Sequence, residues 1–432
     1  MDIAVFTKIK EIGDKLFPTV IENKEYNVTY ISPQTHNFNK TVPNATVINL
    51  NEYCSIYILI NGVGEKVKIE PKGKIVLKGN ISRISMYTEF TPCKVRIIGG
   101  INTDINYNKK AKGSLNFRVE EKGVLAVSRK IGYAYSDNKL YRSTDSCLTW
   151  NEVATAPSEE YFNNVHIARG YVIAVTDKGN VFRSDNGVTF TQTTLKVQYA
   201  LLWHSIDSNG DTVVIAEYTR SNGNVNVFTS TDKGATWSTT LTKVAPSEIR
   251  HFHSVDYNRN LGLFIVTSGD TNNQVRWFKS ADGLSWTEIE GVHHQRFRTL
   301  HVSEHNLDEV IWGSDATYEM AEICKANLND LTKVEHITSL SGVCWGIFRN
   351  GNIMIAITKV EDSTLEDGIA RIYISRDSGH TWNCELEALI RDVNTNGGFT
   401  NILGVTQNGE FAIKMLTLEG FNSSTKTVFI KP

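Results

Sequence analysis

The first residues of the chain place apolar side chains at helical spacing. Val5, Ile9 and Ile12 recur three or four positions apart, with charged residues between them, so they share one face of a helix. Pro18 predicts the end of this helix, because the residue before a proline disfavours helical backbone. We expect residues 1–20 to form a helix whose apolar stripe packs either on its own domain or on a partner subunit, as in an oligomeric stem.

The pattern then changes to a period of two, which is typical of strands. Val67 and Ile69, for example, alternate with lysines, so apolar and polar side chains take opposite faces. Residues 21–100 therefore predict about six or seven short antiparallel strands, most simply a small β-sandwich. Residues 101–114 are polar and without periodicity, and we expect them to be a linker.

A repeated segment dominates the rest of the chain. Its fullest copies read S-T-D-K-G-A-T-W, ending at Trp237, and S-R-D-S-G-H-T-W, ending at Trp382. Copies begin near residues 143, 183, 230, 279, 325 and 375. A spacing of about 40–50 residues is the length of one four-stranded propeller blade. Residues 115–432 are predicted to form an all-β propeller. It has seven blades if a strand near residue 115 completes the last one, or six blades with a C-terminal extension.

These segments resemble the Asp box (S-x-D-x-G-x-T-W), also called the BNR repeat, of sialidases and many other propeller proteins. The resemblance implies the propeller fold and makes the boxes structural turns. Their serine and aspartate bond turn amides, their glycine takes a backbone angle that other residues avoid, and their tryptophan plugs the blade. The Arg-Ile-Pro motif of the sialidases is absent. No sialidase catalytic residue carries over, and the sequence favours a binding platform over an enzyme.

A second repeated pattern precedes each box and predicts the innermost strand of each blade. It puts a histidine at the same place in four consecutive repeats, namely His166, His204, His253 and His301. Such histidines either bond neighbouring blades or form a metal or anion site. His251 and His253 form an H-x-H pair, which resembles the iron-binding motif of trimeric phage spikes. These two are the candidate metal ligands, while no cofactor is predicted.

Three carboxylates end equivalent inner strands: Asp207, Asp256 and Glu304. Glycoside hydrolysis uses two carboxyl groups about 5–10 Å apart. The three are therefore the catalytic candidates if the protein is a hydrolase, and simple turn formers if it is not.

The connections opposite the boxes should surround the mouth of the central channel, on loops that commonly carry function. Arg250 and Arg298 fall at equivalent positions of adjacent repeats, and paired arginines suit an anionic or polyhydroxylated ligand. The candidate ligand-binding residues are Arg250, Arg298, His251, Arg296, His293, His294, Tyr218 and Tyr161.

Composition and charge exclude some classes of binding partner. A net charge of −2 argues against bulk attraction to nucleic acid. No apolar run approaches the length of a membrane span, and the first residues lack the apolar core of a signal peptide. The six cysteines are scattered without a C-x-x-C pair, so free thiols are expected.

The whole architecture resembles a bacteriophage tail fibre or receptor-binding protein. On this interpretation residues 1–100 dock to a phage tail, a baseplate or another structural partner and form a homo-oligomer, most simply a trimer. The propeller would recognise a cell-surface glycan or a teichoic-acid-like polymer, and the protein would belong to the virion, or otherwise be soluble. Two alternatives stay open: a glycoside hydrolase acting on surface polysaccharide, and an intracellular assembly or scaffold propeller.

Overall fold

The computed structural model describes strands along both parts of the chain. The described residues are 20–28, 34–49, 56–60, 67–69, 74–88, 93–100, 116–120, 122–316, 320–361, 369–389, 397–416, 418 and 425–432. The predicted helix of residues 1–20 and the predicted linker lie outside them, apart from Val20, which begins a strand. In sequence the chain divides after residue 110 into two compact units, and each is described by itself.

The described residues of the first unit form six strands. They are β1 (Val20–Val28), β2 (Gln34–Asn49), β3 (Ile56–Ile60), β4 (Val67–Ile69), β5 (Lys74–Thr88) and β6 (Cys93–Gly100). They pair in one antiparallel sheet in the order β1-β6-β2-β5-β3-β4. The small β-sandwich of residues 21–100 stays a prediction.

The second unit is an all-β propeller that begins with five strands. They are β7 (Asn116–Glu120), β8 (Gly123–Arg129), β9 (Ile131–Ser136), β10 (Lys139–Ser143) and β11 (Asn151–Thr155). Strands β8 to β11 form an antiparallel meander. Helix in the described part of this unit is limited to two short 3-10 turns, Asn272–Gln274 and Gln295–Phe297.

Four separate antiparallel sheets of four strands come next. The first contains β12 (Phe162–Ala168), β13 (Tyr171–Thr176), β14 (Asn180–Ser184) and β15 (Thr191–Lys196). The second contains β16 (Ile206–Asn209), β17 (Thr212–Ala216), β18 (Gly223–Ser230) and β19 (Ser238–Ala245). The third contains β20 (Phe252–Asn258), β21 (Leu263–Ser268), β22 (Arg276–Ser280) and β23 (Thr287–Ile289). The fourth contains β24 (Val302–Glu304), β25 (Glu309–Gly313), β26 (Glu322–Asn327) and β27 (Glu335–Ser339).

The last strands pair with the first strands of the unit. They are β28 (Val343–Asn350), β29 (Ile353–Val360), β30 (Ile369–Ser375), β31 (Asn383–Leu389), β32 (Gly397–Thr406), β33 (Phe411–Leu416) and β34 (Thr425–Lys431). Strand β34 pairs antiparallel with β7, and β32 runs parallel to β8 over three residues. The predicted strand near residue 115 therefore joins the C-terminal strands, so β34 is paired on both sides.

Neighbouring sheets pack through aromatic side chains. Trp277 of β22 and Trp312 of β25 are both fully buried, with ring centroids 5.2 Å apart in an edge-to-face arrangement. Phe297 stacks on Trp312 at 5.5 Å, and its carbonyl accepts the Trp277 indole hydrogen at 2.8 Å. Such pairs add stability beyond the area they bury, and here they fix the turn that ends at Arg298.

The repeated segments form turns of the predicted kind. In the copy that starts at Ser230, the serine hydroxyl accepts the amide hydrogen of Gly234 at 2.8 Å. The Asp232 carboxylate accepts the amide and hydroxyl hydrogens of Thr236 at 2.8 and 2.6 Å. Gly234 has φ +84°, an angle that favours glycine.

The second copy needs a correction of register. From Arg183 this copy reads R-S-D-N-G-V-T-F, and matching it to S-x-D-x-G-x-T-W predicts that Asp185 takes the aspartate position of the turn. Instead, Asn186 accepts the amide hydrogens of Val188 and Thr189, both at 2.8 Å. This copy therefore begins at Ser184. It has one residue fewer between serine and glycine than the copy at Ser230, as does the copy that begins at Ser280.

Candidate functional site

The three carboxylates considered for hydrolysis bind backbone amides of neighbouring sheets. Each accepts one amide hydrogen across the gap between two sheets: Asp207 from Tyr257 at 2.7 Å, Asp256 from Val302 at 3.0 Å, and Glu304 from Arg259 at 2.6 Å. Asp256 also accepts the Ser254 hydroxyl at 2.7 Å. These bonds hold three consecutive sheets together, because each gives an amide of one sheet a hydrogen-bond partner on the next.

The four equivalent histidines have different surroundings. His166 Nε2 lies 2.8 Å from the Ser208 hydroxyl. His301 Nε2 lies 3.2 Å from an Asp256 carboxylate oxygen, and the His204 ring packs on the His301 ring with centroids 3.9 Å apart. Burial lowers the pKa of His301 to about 3 and that of His204 well below its ordinary value. Burial also raises the pKa of Asp256 well above its usual range.

His253 belongs to a second group, which centres on Asp270. We call Asp270 together with Arg250, His251, His253 and Arg298 the Asp270 cluster. The Nε2 atoms of His251 and His253 lie 3.6 and 3.7 Å from the same oxygen, Asp270 Oδ1. Arg250 Nη1 lies 3.2 Å from Oδ2, and Arg298 Nη2 lies 3.5 Å from Oδ1. Two imidazoles and two guanidinium groups thus share one carboxylate.

Strand geometry explains how the two histidines meet. His251 and His253 flank Phe252 at the start of β20, so they share one face while Phe252 enters the apolar core. Their other ring nitrogens are held by the backbone. His251 Nδ1 donates to the carbonyl oxygen of Thr219 at 3.0 Å, and His253 Nδ1 donates to that of Thr299 at 3.2 Å. Both residues are buried, with exposures of 3% and 2%.

The charge states follow from these contacts. Burial would raise the pKa of Asp270, but hydrogen bonds and charge from the His251 and His253 rings in their protonated forms outweigh it and hold that pKa far below its usual range. Burial lowers the pKa of His253 to about 4. At neutral pH the cluster therefore contains an ionised carboxylate facing a neutral His253 ring. Arg298 also lies 3.0 Å from Asp315 Oδ2, and burial raises the pKa of that carboxyl to about 7.

The backbone at Asp270 is strained. Its φ is +119°, whereas the other described non-glycine residues with positive φ lie between 53° and 65°. Such angles cost about 1–3 kcal/mol and concentrate at functional sites. The preceding residue, Gly269, has no room for a side chain, since a Cβ there would lie 2.8 Å from His253 Cε1 and 2.9 Å from Arg298 Cγ. The chain therefore holds Asp270 against the histidines at a conformational cost.

Four of the eight predicted ligand-binding residues come together. Arg250, His251 and Arg298 belong to the Asp270 cluster, and the Tyr218 ring lies 3.9 Å from the His251 ring. The pairing of the two arginines was predicted, but their shared carboxylate was not.

The other four have separate contacts. Arg296 Nε lies 2.6 Å from Glu322, His294 Nδ1 accepts the Arg296 amide hydrogen at 3.1 Å, and His293 Nδ1 donates to the Val275 carbonyl at 3.0 Å. The Tyr161 ring stacks on Tyr135 with centroids 5.5 Å apart.

Sequence reasoning missed Asp270 and Asp315. Both follow the second strand of their sheets, β21 and β25, and each comes within two residues of a buried serine, Ser268 or Ser314. Aligning the second strands, as the inner strands were aligned, would have found this pair.

This architecture is that of a β-propeller. The chain belongs to the family of the DUF6242 β-propeller domain, whose model matches residues 107–390. No curated protein matches the sequence.

Solved structures share the fold at low sequence identity. One, titled "YCF48 bound to D1 peptide", has 12% identity and a TM-score of 0.50, over 74% of this chain and 96% of that chain. Another, a chain of the "Mitotic Checkpoint Complex", has 10% identity and a TM-score of 0.51, over 74% of this chain and 95% of that chain. These likenesses concern the fold alone.

No described helix has the length and apolar character that a membrane crossing requires.

Proposed function

We propose that the propeller is a binding module, and that its ligand docks where the inner strands begin, beside the Asp270 cluster. The observation that supports binding over hydrolysis is the use of Asp207, Asp256 and Glu304 as bonds between sheets. A general acid or a nucleophile must have an oxygen free to reach its substrate. Asp256 has one oxygen in two hydrogen bonds and the other beside His301.

The proposed ligand is a cell-surface glycan or a teichoic-acid-like polymer. In an antiparallel four-stranded sheet, the first strand begins and the second strand ends at the same end of the sheet. At this end of the propeller, Arg250 precedes β20, and its side chain is 55% exposed. Half-buried Tyr218 and exposed Arg220 follow β17 of the preceding sheet. Guanidinium groups bind anionic and hydroxyl oxygens well, and tyrosine offers an aromatic face with a polar tip.

We also infer seven blades. The four separate sheets are four of them, and the meanders β8–β11 and β28–β31 are two more. Strands β32, β33, β34 and β7 make the seventh, closed by strands from both ends of the unit. The six-bladed alternative would leave β7 without this role.

The placement of the protein in a phage virion, the docking role of residues 1–100 and the trimer stay predictions. Their support is the resemblance of architecture described above and the division of the chain into two compact units.

A binding experiment with two matched arginines tests the proposed ligand site. The full chain is applied to a panel of immobilised bacterial glycans and teichoic acids, as wild type, Arg250→Ala and Arg259→Ala. The two arginines precede and follow the same strand, β20, and both are exposed, with side-chain exposures of 55% and 74%. Arg259 therefore controls for loss of one surface charge.

Wild type should bind at least one polymer. Arg250→Ala should weaken binding at least about 10-fold, the effect of losing one charged hydrogen bond, and Arg259→Ala should leave it within about two-fold. Equal losses in both variants would place the ligand elsewhere. No binding to any polymer would favour a protein receptor or the scaffold alternative.

A further inference from the structure

We propose that His251, His253 and Asp270 bind a divalent first-row transition metal ion of the Zn²⁺ or Fe²⁺ type. The ligand atoms are the two Nε2 atoms and the carboxylate oxygen Oδ1. This inference is independent of the glycan proposal, because it rests on the buried side of the cluster.

The hydrogen bonds of the histidines leave lone pairs facing the carboxylate. A carbonyl oxygen can only accept, so the bonds to Thr219 and Thr299 place the hydrogen of each neutral ring on Nδ1. Each Nε2 is then an acceptor aimed at another acceptor, Asp270 Oδ1. When neither Nε2 carries a proton, three acceptors converge, and a metal ion between them would satisfy all three. Metal-bound histidines commonly donate their other N–H to a carbonyl in this way, which fixes the ring.

The distances suit an ion better than hydrogen bonds. Separations of 3.6 and 3.7 Å between Nε2 and Oδ1 exceed the usual range of about 2.7–3.2 Å for a hydrogen bond. Two ligand atoms that each lie about 2.1 Å from one ion are about 3.4–3.7 Å apart at near-tetrahedral angles. All three ligand atoms lie within 4.8 Å of one another.

The neighbouring side chains leave Asp270 Oδ1 and a path from solvent available to an ion. Arg250 binds the other carboxylate oxygen, Oδ2. Arg298 Nη2 lies 3.5 Å from Oδ1, beyond the usual hydrogen-bond range, and lies closer to Asp315 Oδ2, at 3.0 Å. The Asp270 side chain is 20% exposed, so a water or a ligand group can reach a fourth position. Two histidines and one carboxylate with an open position are typical of Zn²⁺ and Fe²⁺ sites.

A second group with the same residue types is a weaker candidate. His204, Asp256 and His301 also bring three ligand atoms within 4.8 Å. There, however, His301 Nε2 and Asp256 Oδ1 are 3.2 Å apart, a distance at which the pair can share a proton. Burial keeps Asp256 protonated to unusually high pH, and a protonated carboxyl group is a poor metal ligand.

The test is metal titration of the full chain after removal of bound metal with EDTA. Binding of ZnCl₂ is measured by calorimetry and binding of Co²⁺ by its visible absorption, which is stronger in tetrahedral than in octahedral coordination. The variants are His251→Gln and Asp270→Asn, with His301→Gln as the matched control from the other group.

Wild type and His301→Gln should bind one Zn²⁺ per chain. In His251→Gln and Asp270→Asn, affinity should fall by at least about 100-fold, the upper cost of losing a residue that merely supports a ligand. No binding by wild type, or equal binding by all variants, would overturn the proposal. Loss in His301→Gln alone would move the ion to the other group and equally overturn it.

A second measurement uses wild type alone, so it tests the proposal even if the variants fail to fold. Crystals grown with ZnCl₂ are measured at the zinc absorption edge. An anomalous peak about 2.0–2.2 Å from the three named atoms is the expected result. A peak elsewhere, or none, would contradict the proposal.

Discussion

Gly269 shows how a single residue controls the Asp270 cluster. It separates β21 from Asp270, and the His253 ring and the Arg298 chain pack against its backbone where a side chain would stand. Asp270 itself keeps a backbone angle that few residues adopt. The cluster is therefore held by packing around it as much as by its own ion pairs.

Replacing Gly269 with alanine should disturb both neighbours. We expect Gly269→Ala to lower the free energy of unfolding by about 1–3 kcal/mol, as overpacking usually does, measured by urea denaturation. Gly351→Asn is the control, because a Cβ at that position would have no atom within 4 Å and asparagine tolerates its φ of +63°. Its effect should stay within about 0.5 kcal/mol. Equal effects at the two sites would contradict the packing argument.

His301 should make stability depend on pH. The pKa of His301 is about 3 in the folded chain and 6.5 ordinarily. Between these pH values the ring is protonated in the unfolded chain and neutral in the folded chain. The free energy of unfolding must therefore fall as pH is lowered from 6.5 towards 3. His204 acts in the same direction and Asp256 in the opposite one, but both remain in a His301→Gln variant.

Urea denaturation of both proteins at pH 6.5 and 4.5 isolates this contribution. Between these values His301→Gln should lose on the order of 2 kcal/mol less than wild type. Parallel losses in the two proteins would show that His301 is protonated in the folded state or is not buried.

At the scale of elements, the repeated turns and the closing strands have separate tasks. The turns bond within themselves, as Asp232 does with Thr236. The closing strands bond across the chain: Arg118 of β7 pairs with Glu410 at 3.2 Å and lies 3.7 Å over the Phe429 ring. The first kind of contact stabilises one sheet, and the second joins the two ends of the propeller.

The turn register gives a matched pair of variants. Asp232→Ala should cost about 1–2 kcal/mol, because it leaves several turn amides and hydroxyls without their acceptor. Asp185→Ala should cost less than about 0.5 kcal/mol, since this residue pairs only with Arg183 among the contacts described and its side chain is 65% exposed. Thermal unfolding of both variants checks this. A larger loss for Asp185 would restore the original alignment.

Two shortened chains test the closing strand. A chain of residues 111–432 retains β7, whereas one of residues 122–432 lacks it. The first should unfold cooperatively. The second should melt at least about 10 °C lower or aggregate, because β34 loses its partner and exposes an edge. The melting temperatures are measured by circular dichroism. Equal values for the two chains would show that β7 is not part of the propeller.

At the scale of the molecule, the sequence predicted the repeating parts and missed what differs between repeats. Spacing and turn residues predicted the propeller because each blade obeys the same local rules. The inner-strand histidines were found for the same reason. His166 and His253 have different contacts because their partners, Ser208 and Asp270, come from other parts of the chain. No local pattern reports such contacts.

The same limit explains the reassignment of the carboxylates. The sequence placed Asp207, Asp256 and Glu304 at equivalent strand ends, which suited both catalysis and turn formation. The amides that they bind belong to neighbouring sheets, and only the assembled ring brings those amides within reach. Binding function is thus an inference from the three-dimensional arrangement.

The most direct test of binding against hydrolysis follows the length of a bound polymer. The full chain is incubated with excess soluble polymer from the panel, and polymer size and released reducing sugar are measured over many hours. We expect stable binding with no shortening, both in wild type and in Asp256→Asn. Progressive shortening by wild type, lost in Asp256→Asn, would contradict the account and make the protein a hydrolase.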